Sequence, residues 1–387
     1  MTAKNNIPAG YKDSAVGIIP QEWEVKRLGE ICSTFKSGTT ITSKNIKESG
    51  LYPVYGGNGL RGYTDSHTHD GDYILIGRQG ALCGNINFVS GKAYISEHAI
   101  AVQPNKSNSI EYLRHKLYFW NLNRFSESSA QPGLSVEKLV RYKLAVPPMG
   151  EQRKIAEILG VWDEAIEKQS RLIERLEVRK RALMQRLLTG HTRLGGFTTP
   201  WQKIKLGEIF KERNETRCEE LPLLSITADK GVILQSESDK KDTSNDDKSK
   251  YKRICPNDIG YNTMRMWQGR SALSSLEGIV SPAYTIVTPK VAVDMMFVSE
   301  FIKQPRVVYD FWTHSQGLVG DTLNCKFHDF SQVKVAIPSL PEQKAIAEVL
   351  TAADNEIATH RKKLEALRQQ KHGLMQQLLT GKTRVKI

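Results

Sequence analysis

The sequence predicts an α+β protein: two similar globular domains joined by two long helices, which form an intramolecular antiparallel coiled coil with pseudo-two-fold symmetry. Three observations predict it. The stretch Val146 to Leu194, opening VPPMGEQRKIAEIL and closing LMQRLLTGHTRL, returns as Ile337 to Val385, opening IPSLPEQKAIAEVL and closing LMQQLLTGKTRV. The copies align without a gap at an offset of 191 (337 − 146), with about 20 of roughly 50 positions identical, far above chance for a self-comparison. The opening Trp23 to Ile31 (WEVKRLGEI) returns as Trp201 to Ile209 (WQKIKLGEI) at an offset of 178 (201 − 23), so the repeated unit is a globular segment followed by a helix. Finally, both helical copies sustain an apolar heptad pattern.

In chain order, we divide the 387 residues into an N-terminal arm (1–16), a first globular segment (17–146), a first helical segment (147–194), a second globular segment (195–337) and a second helical segment (338–387). The first globular segment reads as short strands broken by glycine turns, in YPVYGGNGLRGYT, DYILIGRQGALCGNINFV and AYISEHAIAVQP. A helix follows over 110–125, with Tyr112, Leu113, Leu117 and Trp120 on one side. The second globular segment repeats the order in LPLLSITADKGVI, NDIGYNTMRMWQG and GIVSPAYTIVTPK, then a helix from Val298 to Trp312. Residues 236–252 form a polar, charge-mixed loop. Both junctions match as well, QPGLSVEKLVRYKLAVPP before the first long helix and TLNCKFHDFSQVKVAIPS before the second.

Each long helix opens beside prolines (Pro147 and Pro148, then Pro341), where a missing N–H costs nothing. Each closes on Thr-Gly (Thr189-Gly190, Thr380-Gly381), with the glycine placed for a left-handed C-terminal cap. About 38 residues between these signals make a rod of roughly 55 Å. The seam of the first copy is Ile155, Leu159, Trp162, Ile166, Gln169, Ile173, Leu176, Lys180, Leu183 and Leu187. That of the second is Ile346, Leu350, Ala353, Ile357, His360, Leu364, Leu367, Lys371, Leu374 and Leu378. Antiparallel pairing with matched ends sets Ile155 opposite Leu378, Trp162 opposite Lys371 and Ile173 opposite His360. Every polar break then meets an apolar partner.

The composition, 39% hydrophobic and 25% charged, is that of an ordinary globular protein. No apolar run suits a signal peptide or a membrane span, so a cytoplasmic protein without a membrane partner is expected. Cys32, Cys83, Cys218, Cys255 and Cys325 have no close pairs, which argues against a disulfide framework or a zinc knuckle and for reduced, buried thiols. The net charge of +13 favours a polyanionic partner, nucleic acid before membrane.

Three short motifs mimic chemistry they cannot supply. Gly57, Gly59 and Gly62 spell GxGxxG, but the turn-rich YTDSHTHDGD that follows cannot make the helix a dinucleotide site needs, so the glycines shape a tight loop. Ser281-Pro282-Ala283-Tyr284 resembles the Asn/Asp-Pro-Pro-aromatic loop of amino-methyltransferases without its leading amide or carboxylate, and reads as a strand start. His67 and His69 have HxH spacing but no third ligand, so no metal site and no catalytic residue is assigned. What remains is two loop clusters of the residue types that pair with base edges and phosphates: Asn58, Arg61, Arg78, Gln79 and His98 (beside Glu97), and Arg213, Arg217, Tyr261, Asn262, Arg265, Trp267 and Gln268. We take these as candidate DNA-binding residues.

Over almost its whole length the sequence resembles the specificity (S) subunits of type I restriction-modification systems. The resemblance rests on YKDSAVGIIPQEWEVKRLGEI, YPVYGGNGLRGY, GDYILIGRQGALCGN, SEHA, YNTMRMWQG with GIVSPAY, and the twice-used Pro-x-x-x-Glu-Gln start and Leu-Leu-Thr-Gly stop. It implies two target recognition domains, each reading half of a split, asymmetric double-stranded DNA site, with the helices as the ruler between them. It implies further that two modification (M) subunits bind the helical core and methylate adenine N6, while restriction (R) subunits translocate and cut. No cofactor is then bound by this chain; S-adenosylmethionine, ATP and Mg belong to those partners, and the chain itself is not catalytic. The helices' charged outward surfaces (Arg171, Arg175, Arg179, Lys362) are the candidate M-subunit dock. A rod of this length corresponds to one or two turns of DNA, on the order of 34 Å each. Two other classes remain to be tested against this: a free-standing methyltransferase, which would bind S-adenosylmethionine alone, and a coiled-coil adaptor, which would show no salt-dependent DNA affinity.

Overall fold

A computed structural model describes residues 7–126, 132–227, 230–238, 242, 244–317 and 323–386. The first six residues of the expected arm and parts of the loop 236–252 lie outside the described residues, as do Gln131 and Thr322, which open the two junction segments. The chain divides into two compact units: Met1–Arg171 with Lys362–Ile387, and Leu172–Arg361. The division therefore falls inside the two long helices, and each unit owns half of each. This differs from the linear plan of domain, helix, domain, helix, because antiparallel helices pair the start of one with the end of the other.

In the first unit, β1 (Glu24–Arg27) and β2 (Cys32–Ser37) flank a 3-10 turn at Leu28–Ile31. The hairpin β3 (Tyr52–Gly56) and β4 (Gly59–Thr64) is followed by β5 (Tyr73–Gly77), β6 (Ile86–Val89), β7 (Tyr94–Ile95) and β8 (Ala99–Pro104). Helix α1 (Ile110–Trp120), β9 (Lys143–Val146) and the long helix α2 (Met149–Leu187) complete the repeat. The main sheet has the antiparallel order β2-β8-β5-β6. Its central strands are near-continuous apolar runs because both faces are covered. Ile74, Ile76, Ile100 and Val102 point to the core shared with Leu113 and Leu117 of α1. Leu75, Ala99 and Ala101 point the other way, to Ile95 and Tyr55. Ile74, Leu75 and Ile76 are all 0% exposed, each worth ~1.5–3 kcal/mol of burial.

In the second unit, β10 (Gln202–Lys205) and β11 (Phe210–Glu212) flank the helical turn Leu206–Ile209. Then come β12 (Leu224–Ile226), β13 (Val232–Leu234), β14 (Lys252–Ile254), β15 (Ile259–Asn262), β16 (Ser271–Leu273), β17 (Gly278–Val280) and β18 (Tyr284–Pro289). Helices α3 (Met295–Phe301) and α4 (Pro305–His314), strand β19 (Lys334–Ile337) and the long helix α5 (Leu340–Leu378) follow. The main sheet, β11-β18-β15-β16, repeats the first unit's order. One expectation is corrected here: the single helix over 298–312 is two, because Pro305 lacks the N–H a continuous helix needs and instead begins α4. Likewise the helix expected over 110–125 stops at Trp120, where Asn121 turns left-handed (φ 49°) before a 3-10 turn.

The LGEI repeat has a local cause. In each copy the glutamate reaches back to the backbone N–H before the turn, Glu30 to Arg27 (2.8 Å) and Glu208 to Lys205 (2.9 Å). The strand ahead of the turn pairs with the strand leading into a long helix, Glu24 with Val146 and Gln202 with Ile337. These partners differ by 178 (202 − 24) and 191 (337 − 146), the two offsets of the sequence repeat.

Both long helices run 39 residues and end on left-handed glycines, Gly190 (φ 72°) and Gly381 (φ 75°). Within the first unit, Ile155, Leu159 and Leu378 share a core with Met375 and Trp23. Within the second, Leu187 shares one with Ile346 and Leu350. The antiparallel register therefore holds in each unit by itself. The polar breaks behave differently from expectation. Lys371 pairs with Asp163 and Lys180 with Asp354 (2.7 Å), one residue beyond the apolar partners Trp162 and Ala353. A lysine's apolar stem can lie in the seam while its amine reaches a carboxylate at the edge. Cysteines introduced at 155 and 378 are expected to form an intramolecular disulfide on mild oxidation; a monomer that stays uncrosslinked would contradict the register.

The Glu-Gln start and the Thr-Gly-x-Thr-Arg stop prove to be partners. Glu151, fully buried, accepts from Trp23 Nε1 (2.9 Å) and from Arg384 Nε (2.7 Å) and Nη2 (3.0 Å). Glu342, 1% exposed, accepts from Arg193 Nε (2.5 Å) and Nη2 (2.6 Å). The adjacent glutamines bind the N-caps of the neighbouring helices: Gln152 accepts from the Ser109 N–H (2.8 Å) and Gln343 from the Asp294 N–H (2.9 Å). Each glutamine also donates to a proline carbonyl five residues earlier, Pro147 or Pro338. The beginning of one long helix is thus fastened to the segment just beyond the end of the other.

No helix of the described residues is long and apolar enough to cross a membrane. The five cysteines are unpaired, as expected, but only Cys83 and Cys325 are buried and the others are half-exposed.

Candidate nucleic-acid interface

In the first unit the β3–β4 hairpin makes the interface compact. A side chain at Gly57 would come within 2.6 Å of the His98 carbonyl and 3.0 Å of the Gly77 Cα, so only glycine lets the hairpin tip lie on the loops after β5 and β7. The Arg78 N–H donates to the His98 carbonyl (2.9 Å), tying those two loops together. Asn58, Arg61, Arg78, Gln79 and His98, spread over 41 positions of sequence (98 − 58 + 1), are thereby carried on the hairpin and two adjoining loops. Arg78 is half-buried and the other four are exposed. His98 sits 3.4 Å from Glu97, whose other oxygen accepts from the Ile41 N–H (3.2 Å). Asn87, absent from the sequence-based set, donates to the Gly57 carbonyl (3.5 Å) and steadies the tip. The GxGxxG glycines form a hairpin, with Gly59 (φ 99°) and Gly62 (φ 146°) in it and no helix after it.

In the second unit Asn262 ends β15, and its side-chain oxygen accepts from the Met264 N–H (3.0 Å). The 3-10 turn Met266–Gln268 buries Met266 and closes on Gly269 (φ 72°), which turns Arg265 and Gln268 outward. These residues line a cleft of about 1050 Å³ with Arg270, Lys230, Lys303 and Tyr284. Among the described residues no carboxylate lines it. Its walls therefore combine cations for phosphate with amide and guanidinium groups for base edges. Trp267 folds back over the loop, donating from Nε1 to the Met264 carbonyl (3.0 Å). Arg270, Lys230 and Lys303 were not among the sequence candidates; they come from three separate segments, and only folding gathers them.

Three candidates do not join this surface. Tyr261 is 0% exposed in the middle of the sheet, stacked on Phe330 at 5.2 Å, so it is a core residue and is corrected as a DNA contact. Strand alternation between Gly260 and Asn262 sends its ring inward. Arg213 is held by Asp258 (Nε to Oδ2, 2.7 Å) and Glu215 (2.5 Å). Asp258 is nearly fully buried and also accepts from the Cys255 N–H (2.8 Å), so this ion pair fastens strands together. Arg217 is exposed with a left-handed backbone (φ 62°), bonded to Ser249 and away from the cleft.

The remaining motifs resolve structurally. His67 packs on Tyr52 (4.8 Å) and His69 edge-on to Tyr73 (4.9 Å), with burial and then Lys36 lowering the His69 pKa. Among the described residues no cluster of His, Cys, Asp or Glu could hold a metal ion. Ser281 to Tyr284 is the turn into β18, where the Ala283 carbonyl accepts from Thr263 (Oγ1, 2.8 Å).

The family model described as "Type I restriction modification DNA specificity domain" matches residues 20–178 and 307–369, more than half of the chain. The EcoprrI type I restriction enzyme specificity subunit of Escherichia coli is 44% identical over 159 residues, an alignment covering 40% of this chain and 39% of that protein. The putative MjaX specificity subunit of Methanocaldococcus jannaschii is 27% identical over 97% of both chains. Among solved structures, the S subunit of a type I restriction-modification system from M. genitalium superposes with a TM-score of 0.60 at 15% identity, covering 98% of each chain. That last likeness is one of fold.

Proposed function

Because the chain belongs to the family of type I restriction modification DNA specificity domains, we propose that it reads a bipartite, asymmetric DNA site, one half with each unit, and performs no catalysis itself. The observation that carries this reading is the duplicated sheet. Both units use the same strand order, while the loops on it present different residues, Asn58, Arg61, Arg78, Gln79 and His98 in one and Asn262, Arg265, Gln268 and Arg270 in the other. Like scaffolds with unlike surfaces suit two unlike half-sites. Lysines and arginines around each cluster would supply position and salt-dependent affinity, and the amide and guanidinium groups the sequence preference.

In this reading α2 and α5 set the spacer between the half-sites and scaffold two methyltransferase subunits and the restriction subunits. S-adenosylmethionine, ATP and Mg are held by those partners. The helical ruler has a direct test: removing one heptad from both long helices in register should shorten the spacer while preserving each half-site. Loss of one half-site instead would overturn the ruler. DNA binding should also weaken steeply with salt, as counterion release requires, and a flat salt dependence would favour a protein adaptor.

A further inference from the structure

Between α1 and the first-unit halves of the two long helices lies a cavity of about 410 Å³, inside the ~300–1,000 Å³ range of small-ligand pockets. Its charged lining is Arg114, Asp163, Arg368 and Lys371, with His115 and His372 beside them. Lys371, 9% exposed, is paired with Asp163; Asp163 also faces Arg114 Nη2 (3.9 Å) and His115 Nδ1 (3.7 Å). One carboxylate thus stands among three permanent cations. His115 is 3% exposed, and its Nε2 is enclosed without a hydrogen-bond partner among the described residues. Its ring lines the cationic cavity with Nδ1 towards Asp163, so it senses any charge bound there.

The repeat supplies an internal comparison. The Lys371–Asp163 pair has its twin in Lys180–Asp354, each residue displaced by 191. Counting from the N-caps Ser109 and Asp294, the places of Arg114, His115 and Tyr118 are taken by Ser299, Glu300 and Lys303. Glu177 stands for Arg368 and is paired with Arg361 (2.6 Å). The ion pair therefore belongs to the common scaffold, whereas the cationic surplus exists only in the first unit.

We propose that this first-unit cavity is a binding site for a phosphate group, held by Arg114, Arg368 and Lys371, with His115 beside it as a reporter. The phosphate is either a free phosphate ester or one from a nucleic-acid backbone, and the two sources share this chemistry. His115 gives the readout. Burial and then Lys371 push its pKa down to about 4, and a bound phosphate should raise it.

The test is NMR observation of the His115 ring in the full chain, titrated with inorganic phosphate and pyrophosphate against chloride at equal ionic strength. Saturable shifts of the His115 signal are expected, with its titration moved to higher pH. Arg368→Ala, at an exposed position, should weaken them roughly tenfold, the loss of one charge-assisted hydrogen bond, while Arg181→Ala in the second unit should not. If short duplex DNA then displaces phosphate from His115, the natural occupant is a backbone phosphate. If it does not, the occupant is a free ester. An unmoved His115 signal, or equal effects of Arg368→Ala and Arg181→Ala, would overturn the site. Because the phosphate arm needs no DNA, its failure is separate from any failure of DNA recognition.

Discussion

Arg193→Ala is expected to lower the stability of the second unit by ~3–5 kcal/mol, and Arg384→Ala that of the first by somewhat less. The carboxylates these arginines serve cannot retreat to water, since Glu342 and Glu151 are 1% and 0% exposed. Removing one partner of a buried pair leaves the other charge desolvated, which is far costlier than the pair was favourable. The two sites differ in their reserves. Glu151 keeps Trp23 Nε1 as a donor, whereas among the described residues the equivalent Trp201 Nε1 is buried without a partner and Arg193 is the side chain that donates to Glu342. Arg384 is also partly exposed, at 32%, which lets water assist. Urea unfolding of the two variants should rank them in this order, and Glu342→Gln should recover part of the loss in the Arg193→Ala background. Changes below about 1 kcal/mol would mean that the clamp behaves as a surface ion pair.

The second large effect concerns recognition. Arg265→Ala with Gln268→Ala is expected to relax discrimination at one half-site by roughly tenfold to a hundredfold per lost base contact, and Arg61→Ala at the other. The sheets beneath these loops do not depend on them, since all three side chains are exposed. Selection of bound sequences from a random duplex pool would separate the roles. Relaxation confined to a few positions marks a base contact, and uniform weakening with a smaller salt slope marks a phosphate contact.

Acid should act through His115. Its pKa, lowered to about 4 by burial first and then by Lys371 and Arg114 against Asp163 and Glu111, lies below the ordinary 6.5 of the unfolded chain. Between those values the unfolded chain binds a proton that the folded one refuses, so folding stability is full above pH 6.5 and falls as pH drops towards 4. His115→Gln should flatten that part of the pH profile of urea unfolding; an unchanged slope would contradict the assignment.

Much of this architecture is legible in the sequence because it is local or repeated. Periodicity showed α2 and α5, glycine and proline marked their ends, and the two offsets matched strands that pair in space. Contacts between distant segments were not legible. Nothing in the strings PxxxEQ and TGxTR says that Glu151 meets Arg384, 233 residues away. Arg213 looked like a free cation until Asp258 was placed against it, and Tyr261 looked like a loop aromatic because its strand is only four residues long. Pro305 marks the break in the sequence, but the apolar spacing runs through it and reads as one helix. Of the candidate interface, glycine-bounded loops were visible as loops, but which of them adjoin depended on close approaches such as Gly57 on His98.

The central claim is that two like sheets carry two unlike readers of one DNA site. The most direct measurement is to map modified adenines across the genome of cells expressing this chain with its methyltransferase partner, alongside cells carrying the Arg265→Ala and Gln268→Ala chain. A motif of two short specific halves around an unread spacer, with only one half relaxed in the variant, is the predicted result. A continuous motif, or a variant that alters both halves equally, would contradict it.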